Sequence, residues 1–113
     1  MKVKLYHNPR CSKSQLTLKL LENLGINPEV IEYLKNPPSA DELSSIIKML
    51  DMPAIKLIRK KEAFAIGLDI DNADENTLIS FIVEWPEIFQ RPIIIANNRA
   101  VIGRPPENIF DII

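Results

Sequence analysis

The sequence predicts one α/β domain whose elements run β-α-β, then a block of helices, then β-β-α. Three observations carry this expectation. A period-two apolar pattern gives way to a helical one across a single cysteine, a capping box opens the middle block, and two apolar β-rich runs flank Asn97-Asn98 near the end. With 113 residues, 46% hydrophobic and 26% charged, residues 1–113 suit a single compact domain.

Val3 and Leu5 alternate with Lys2, Lys4 and Tyr6, a short strand that Asn8-Pro9 ends. From about Ser12, Leu16, Leu20, Leu21 and Leu24 make one apolar helical face, and Gly25 supplies the stop. Residues 30–34 are β-rich and mostly apolar, as in a strand covered on both faces, and Asn36-Pro37-Pro38 closes it. Because the crossover contains a helix, these two strands should be parallel and their connection right-handed.

Ser39-Ala40-Asp41-Glu42 reads as a capping box, followed by Leu43, Ile46, Ile47 and Leu50 at i, i+3, i+4 and i+7. Pro53 suits the first turn of a short helix reaching about Arg59, and Leu78, Phe81, Ile82 and Trp85 give another amphipathic face that ends at Pro86. After Arg91-Pro92, Ile93-Ile94-Ile95-Ala96 reads as a buried strand. Asn97-Asn98 can take the positive φ of a tight turn, and Ala100-Val101-Ile102 returns antiparallel. Pro106 starts a final short helix through Ile112.

Several function classes are excluded on composition. Fourteen Lys and Arg against fifteen Asp and Glu leave a net charge of −1, with no general attraction to nucleic acid or anionic membranes. The first residues lack the apolar core of a signal peptide, and no stretch approaches the ~20 apolar residues that span a bilayer, so a cytoplasmic location is expected. One cysteine and one histidine form neither an internal disulfide nor a zinc site, and no metal is expected.

Cys11 falls between a strand end and a helix N-terminus, where free amides and the helix dipole favour an anion and lower a thiol's pKa. A lone cysteine is also commonly a small buried hydrophobe, but the polar run His7-Asn8-Pro9-Arg10-Cys11-Ser12-Lys13-Ser14 argues for a functional thiol. His7 is placed to exchange a proton with it or to sit solvated at the strand end. Ser14, one helical turn on, is placed to bond the thiolate through its hydroxyl or to satisfy a backbone amide. Arg10 and Lys13 read as solvated cations. Arg59, Arg91 and Arg104 are candidate oxyanion ligands because a guanidinium fork pairs well with a tetrahedral oxyanion, although an arginine taken singly is more often a surface residue. A phosphatase-type Cys-x5-Arg loop would need Arg at position 17, which is Thr17, and a dithiol site would need a cysteine at Ser14. Turnover therefore calls for an external thiol.

The segment from His7 to Ser14, Tyr33-Leu34-Lys35-Asn36-Pro37-Pro38, Leu57-Ile58-Arg59-Lys60, Arg91-Pro92-Ile93-Ile94 and Ile102-Gly103-Arg104-Pro105 together resemble the glutaredoxin-coupled arsenate reductases of the ArsC type, most closely their short YfgD-like branch. The resemblance implies a thioredoxin-like fold with a helical insertion between its two halves, and a cis bond at Arg91-Pro92. It implies that Cys11 is the nucleophile, that His7 and Ser14 tune its ionisation, and that Arg59, Arg91 and Arg104 hold arsenate or a related oxyanion. In the implied reaction Cys11 forms a covalent adduct with arsenate and glutathione attacks it as co-substrate. Arsenic is then reduced to arsenic(III) as glutaredoxin takes over the glutathione, and arsenite leaves; no bound cofactor is needed. The better-known members carry Cys-Gly-Thr-Ser where this chain has Cys11-Ser12-Lys13-Ser14, and they extend further at the C-terminus. Two alternatives share the fold: a thiol oxidoreductase acting on another substrate, and an Spx-like regulator that binds RNA polymerase. The latter type commonly has a Cys-x-x-Cys switch, and here Ser14 replaces its second cysteine.

Overall fold

The computed structural model describes residues 2–113, which form two compact units: the chain up to Asn36 together with Arg91–Ile113, and Pro37–Gln90. The first unit is built on a four-stranded mixed sheet of order β2-β1-β3-β4, with β1 at Val3–His7, β2 at Glu29–Glu32, β3 at Ile93–Ala96 and β4 at Arg99–Ile102. As expected from the helical crossover, β1 and β2 are parallel; β3 lies antiparallel to β1 and β4 antiparallel to β3. Asn97 and Asn98, with φ of 54° and 60°, make the tight turn between β3 and β4, the backbone state that asparagine tolerates best after glycine.

Helix α1, Ser12–Asn23, and a C-terminal 3₁₀ segment, Pro106–Asp111, complete this unit. Leu21 of α1, Ile109 of the 3₁₀ segment and Ile112 just after it join Val3 and Leu5 of β1 and Ile94 and Ala96 of β3 in one buried cluster. Each fully buried Leu or Ile contributes about 1.5–3 kcal/mol relative to exposure, so this cluster is the main apolar stabilisation of the sheet face. The 3₁₀ segment is tied down by polar contacts as well: Asn97 Nδ2 donates to Ile112 O at 2.9 Å and Arg99 Nη1 to Asp111 O at 2.7 Å.

Four expectations need correction. Residues 30–34 are not a doubly covered strand: β2 ends at Glu32 and is the outermost strand, hydrogen-bonded on one side only, and Val30 is 43% exposed. The leucine face of α1 does not point inward as a block. Leu16 and Leu24 are exposed, whereas the buried positions are Ser14, Thr17 and Leu21. That stripe accommodates polar side chains because each is hydrogen-bonded; Thr17 Oγ1 donates to Lys13 O at 2.9 Å. The helix after Pro53 is a single 3₁₀ turn, Ala54–Leu57. Ile58 then bridges to Phe89, so Arg59 does not end a helix but caps the start of the next one. The last segment is 3₁₀ rather than α, too short to propagate further.

The second unit contains α2 (Ala40–Leu50), α3 (Lys60–Ala65) and α4 (Glu75–Glu84). Ser39 caps α2 as its sequence predicts: its hydroxyl accepts the Glu42 N–H at 3.1 Å and lies 3.3 Å from the Glu42 carboxylate. Asp74 caps α4 in the same way through the Thr77 N–H, at 2.8 Å. The Glu75 carboxylate in turn accepts the Ala54 N–H, which ties the start of α4 to the 3₁₀ turn. No helix among the described residues is long and apolar enough to cross a membrane.

Candidate active site

Cys11 is the N-cap of α1, with extended φ and ψ of −91° and 123°. Asn8-Pro9 prevents β1 from running on, and the turn closes with the Cys11 N–H donating to Asn8 O at 3.0 Å. The Arg10 N–H donates to Asn8 Oδ1 at 3.0 Å, so one asparagine holds the loop through both its main chain and its side chain. The Cys11 sulfur is thereby placed at the positive end of a twelve-residue helix with only 7% of the residue exposed.

Burial by itself pushes the Cys11 thiol up, yet the net shift is downward. The Ser14 N–H, the Arg91 guanidinium and the Lys13 N–H all favour the thiolate, and together they outweigh the loss of water. The two amides act as oriented dipoles at the helix start, since Cys11 makes no capping hydrogen bond of regular geometry. Arg104 adds a second guanidinium, its Nη2 lying 3.6 Å from the sulfur.

The two arginines are fixed to one another. Arg104 Nε donates to Arg91 O at 2.7 Å, and the Gly103 N–H donates to Pro92 O at 2.9 Å. Both Arg91-Pro92 and Arg104-Pro105 are cis; the family resemblance implies the first and not the second. Gly103 allows this approach because a Cβ there would stand 2.7 Å from Pro92 Cγ and 2.8 Å from Thr17 Oγ1. Arg91 Nε is buried and has no acceptor among the described residues, an unusual state for a charged donor.

His7 and Ser14 are both buried and paired, with Nδ1 and Oγ 2.5 Å apart. Ser14 Oγ also accepts the Asn8 N–H at 3.1 Å. A neutral imidazole protonated on Nε2 satisfies both contacts, the hydroxyl donating to Nδ1 and accepting from Asn8. Burial keeps His7 below its ordinary pKa and favours that neutral form, although the negative charge of Glu32, its register partner on β2, pulls part-way back. The Ser14 hydroxyl is thus committed to His7 and Asn8, and Ser14 reaches the sulfur through its main-chain N–H.

Of the six residues singled out in the sequence, Cys11, His7, Ser14, Arg91 and Arg104 come together in the first unit. Arg59 belongs to the second, where it caps α3, pairs with Glu62 at 2.7 Å and reaches Glu87 O at 3.5 Å. Asn8, Thr17 and Gly103 also organise the site, though the sequence patterns do not single them out as site residues. The Asn-Pro dipeptide was a readable signal for the first; the other two act through close packing between segments distant in sequence.

Fold and site together define a thioredoxin-like α/β protein whose one cysteine caps the first helix. The ArsC family profile matches residues 6–112, and the chain belongs to that family. The uncharacterized protein YfgD of Escherichia coli strain K12 is 45% identical over 98% of this chain and 96% of its own length. An arsenate reductase of Neisseria meningitidis serogroup A is 43% identical over 95% of this chain and 94% of its own. Among solved structures, the arsenate reductase from Vibrio cholerae superposes with a TM-score of 0.90 at 37% identity, covering 100% of this chain and 98% of that one.

Proposed function

We propose that this protein reduces arsenate to arsenite in the cytoplasm, using glutathione and glutaredoxin, through a covalent intermediate on Cys11. The observation that carries the reading is the charge arrangement at the sulfur. A buried thiol whose pKa is drawn downward lies 3.6 Å from Arg104, and beside it Arg91 holds a buried Nε–H without an acceptor. Two guanidinium groups around one thiolate leave positive charge and N–H donors to spare, and a tetrahedral oxyanion supplies the matching acceptors. Arsenate is preferred among oxyanions because relatives spanning nearly the whole chain bear the name arsenate reductase.

In this scheme the Cys11 thiolate attacks arsenic, an S–As bond forms, and one arsenate oxygen leaves as water. Arg91 and Arg104 balance the negative charge as the adduct forms, while the neutral His7 holds Ser14 so that its N–H stays directed at the sulfur. The role of Arg59 as a third oxyanion ligand rests on the family resemblance. Glutathione then attacks the adduct, glutaredoxin takes over the glutathione, and arsenite is released. Overall, one arsenate and two thiol equivalents give one arsenite, one disulfide and one water, so the two electrons come from the thiols. The chain needs no second cysteine for this balance, and it has none.

The test is arsenate reduction coupled to glutathione, glutaredoxin and glutathione reductase, followed by NADPH consumption, for the wild type and Cys11→Ser. Turnover that disappears in the variant is the expected result. A rapidly alkylated Cys11 without arsenate turnover would keep the reactive thiol and discard arsenate as its substrate.

A further inference from the structure

One cavity in the first unit is not used by the oxyanion chemistry. It has a volume of 410 Å³ and is lined by His7 at the end of β1, by Asn8, Pro9 and Arg10 of the Cys11 loop, by Glu32 at the end of β2 and by Lys35 just beyond it. We propose that this cleft seats the thiol co-substrate, a small peptide thiol carrying two carboxylates and one ammonium group. The inference rests on the thiol-dependent reading above and assigns the place where that thiol binds.

Charge and shape both support it. The cleft presents two cations, Arg10 and Lys35, and one carboxylate, Glu32, the mirror image of a ligand with two carboxylates and one ammonium. The Lys35–Glu32 pair is loose, at 3.6 Å with Lys35 76% exposed, so it opens at little cost when each partner finds a ligand group. Leu34, 48% exposed on the same wall, offers apolar cover for methylene carbons. The outermost strand β2 ends here with one edge unpaired, and its main-chain groups suit an extended peptide. The volume lies within the roughly 300–1,000 Å³ usual for small-ligand clefts. Arg10 precedes Cys11 directly in the chain, so a thiol held by its carboxylates at Arg10 and Lys35 is bound against the loop that carries the reactive cysteine.

In the step the cleft serves, an S–As bond forms between the incoming sulfur and the arsenic on Cys11, and one As–O bond breaks. The thiol proton leaves with that oxygen as water; arsenic stays pentavalent, and its reduction falls to the thiol equivalent that follows.

Two readouts on the full chain test the assignment. In coupled turnover, Arg10→Ser combined with Lys35→Ser is expected to raise the KM for glutathione at least tenfold while leaving kcat and the KM for arsenate within about twofold. Turnover supported by uncharged 2-mercaptoethanol should be unchanged. Independently of arsenate, titration with unreactive S-methylglutathione should shift the backbone amide resonances of Arg10, Glu32 and Lys35 in the wild type and not in the double variant. An unchanged glutathione KM, or shifts confined to other residues, overturns the proposal. Amide shifts at the cleft without any arsenate turnover would sustain the thiol site while the arsenate reading alone fails.

Discussion

Gly103→Ala probes how closely the site depends on packing. The added Cβ would meet Pro92 Cγ at 2.7 Å, Thr17 Oγ1 at 2.8 Å and Ile94 Cδ1 at 3.1 Å, against the roughly 3.5–4.0 Å of relaxed carbon contacts. None of these neighbours yields easily: Thr17 and Ile94 are fully buried, Thr17 Oγ1 is bonded to Lys13 O, and Pro92 is buried as well. Overpacking of this kind costs about 1–3 kcal/mol, offset by about 0.4–1 kcal/mol from the lower entropy of the unfolded chain. The net loss is about 1–2 kcal/mol. With an unfolding entropy of about 2.1 cal/mol/K per residue, that lowers Tm by about 4–8 °C in a chain of this length. Displacing Gly103 also displaces Arg104 from its 3.6 Å contact with the sulfur, so alkylation of Cys11 by iodoacetamide at pH 7 should slow. Thr17→Ala removes one of the clashing atoms, and the double variant should lose less stability than the two single losses combined. A Gly103→Ala protein that melts within about 1 °C of the wild type, with unchanged alkylation, would refute this account of how β4 is held.

Three further outcomes follow from the same geometry. Arg91→Ala removes a charge that favours the thiolate, so the midpoint of Cys11 alkylation against pH should move up, toward the value of about 8.5 of a free thiol; a stationary midpoint would remove Arg91 from the site. Ser14→Ala strips a partner from buried His7 Nδ1 and from the Asn8 N–H, at a cost of about 1–3 kcal/mol by urea unfolding. Because its main-chain N–H survives, its alkylation midpoint should move less than that of Arg91→Ala; a larger move would mean that the hydroxyl, not the amide, serves the sulfur. His7 has a depressed pKa in the fold, so the unfolded chain binds the extra proton first as pH falls. Its stabilisation is complete above about pH 6.5 and is lost on acidification through the folded pKa, and His7→Gln should flatten the stability profile in that window.

The legible parts of this fold were those set by neighbours in sequence. Ser39 and Glu42 are three residues apart, and Asn97-Asn98 adopt positive φ within one turn, so both features were written locally. The position of Cys11 between a strand and a helix was readable for the same reason. What escaped depended on partners far along the chain. Thr17 is buried where Leu16 is not because Gly103, 86 positions later, packs against it, and no helical periodicity encodes that approach. The apolar look of residues 30–34 suggested a covered strand, but strand order decides cover, and β2 is outermost. Arg91 and Arg104 stood out as Arg-Pro pairs, yet their mutual bond comes from the hairpin register that pairs Ile93 with Ile102.

The departures of this chain from the Cys-Gly-Thr-Ser pattern fall on Ser12 and Lys13, and the site shows why side chains there are free to vary. Both residues are exposed, and both lie in the first turn of α1, a backbone state that asks for no glycine. The groups that favour the thiolate are the main-chain N–H of Ser14 and Lys13 and the guanidinium of Arg91, with Arg104 beside them. A main-chain donor is supplied by any residue but proline, so replacing Gly-Thr by Ser-Lys leaves the amide pair in place and adds one solvated cation. Ser14 differs, because it supplies both an amide to the sulfur and a hydroxyl to His7 from a fully buried position. The lowered pKa of the Cys11 thiol therefore depends on backbone direction at positions 13 and 14, on the hydroxyl at Ser14 that fixes that direction, and on Arg91, with Arg104 held 3.6 Å from the sulfur by the hairpin.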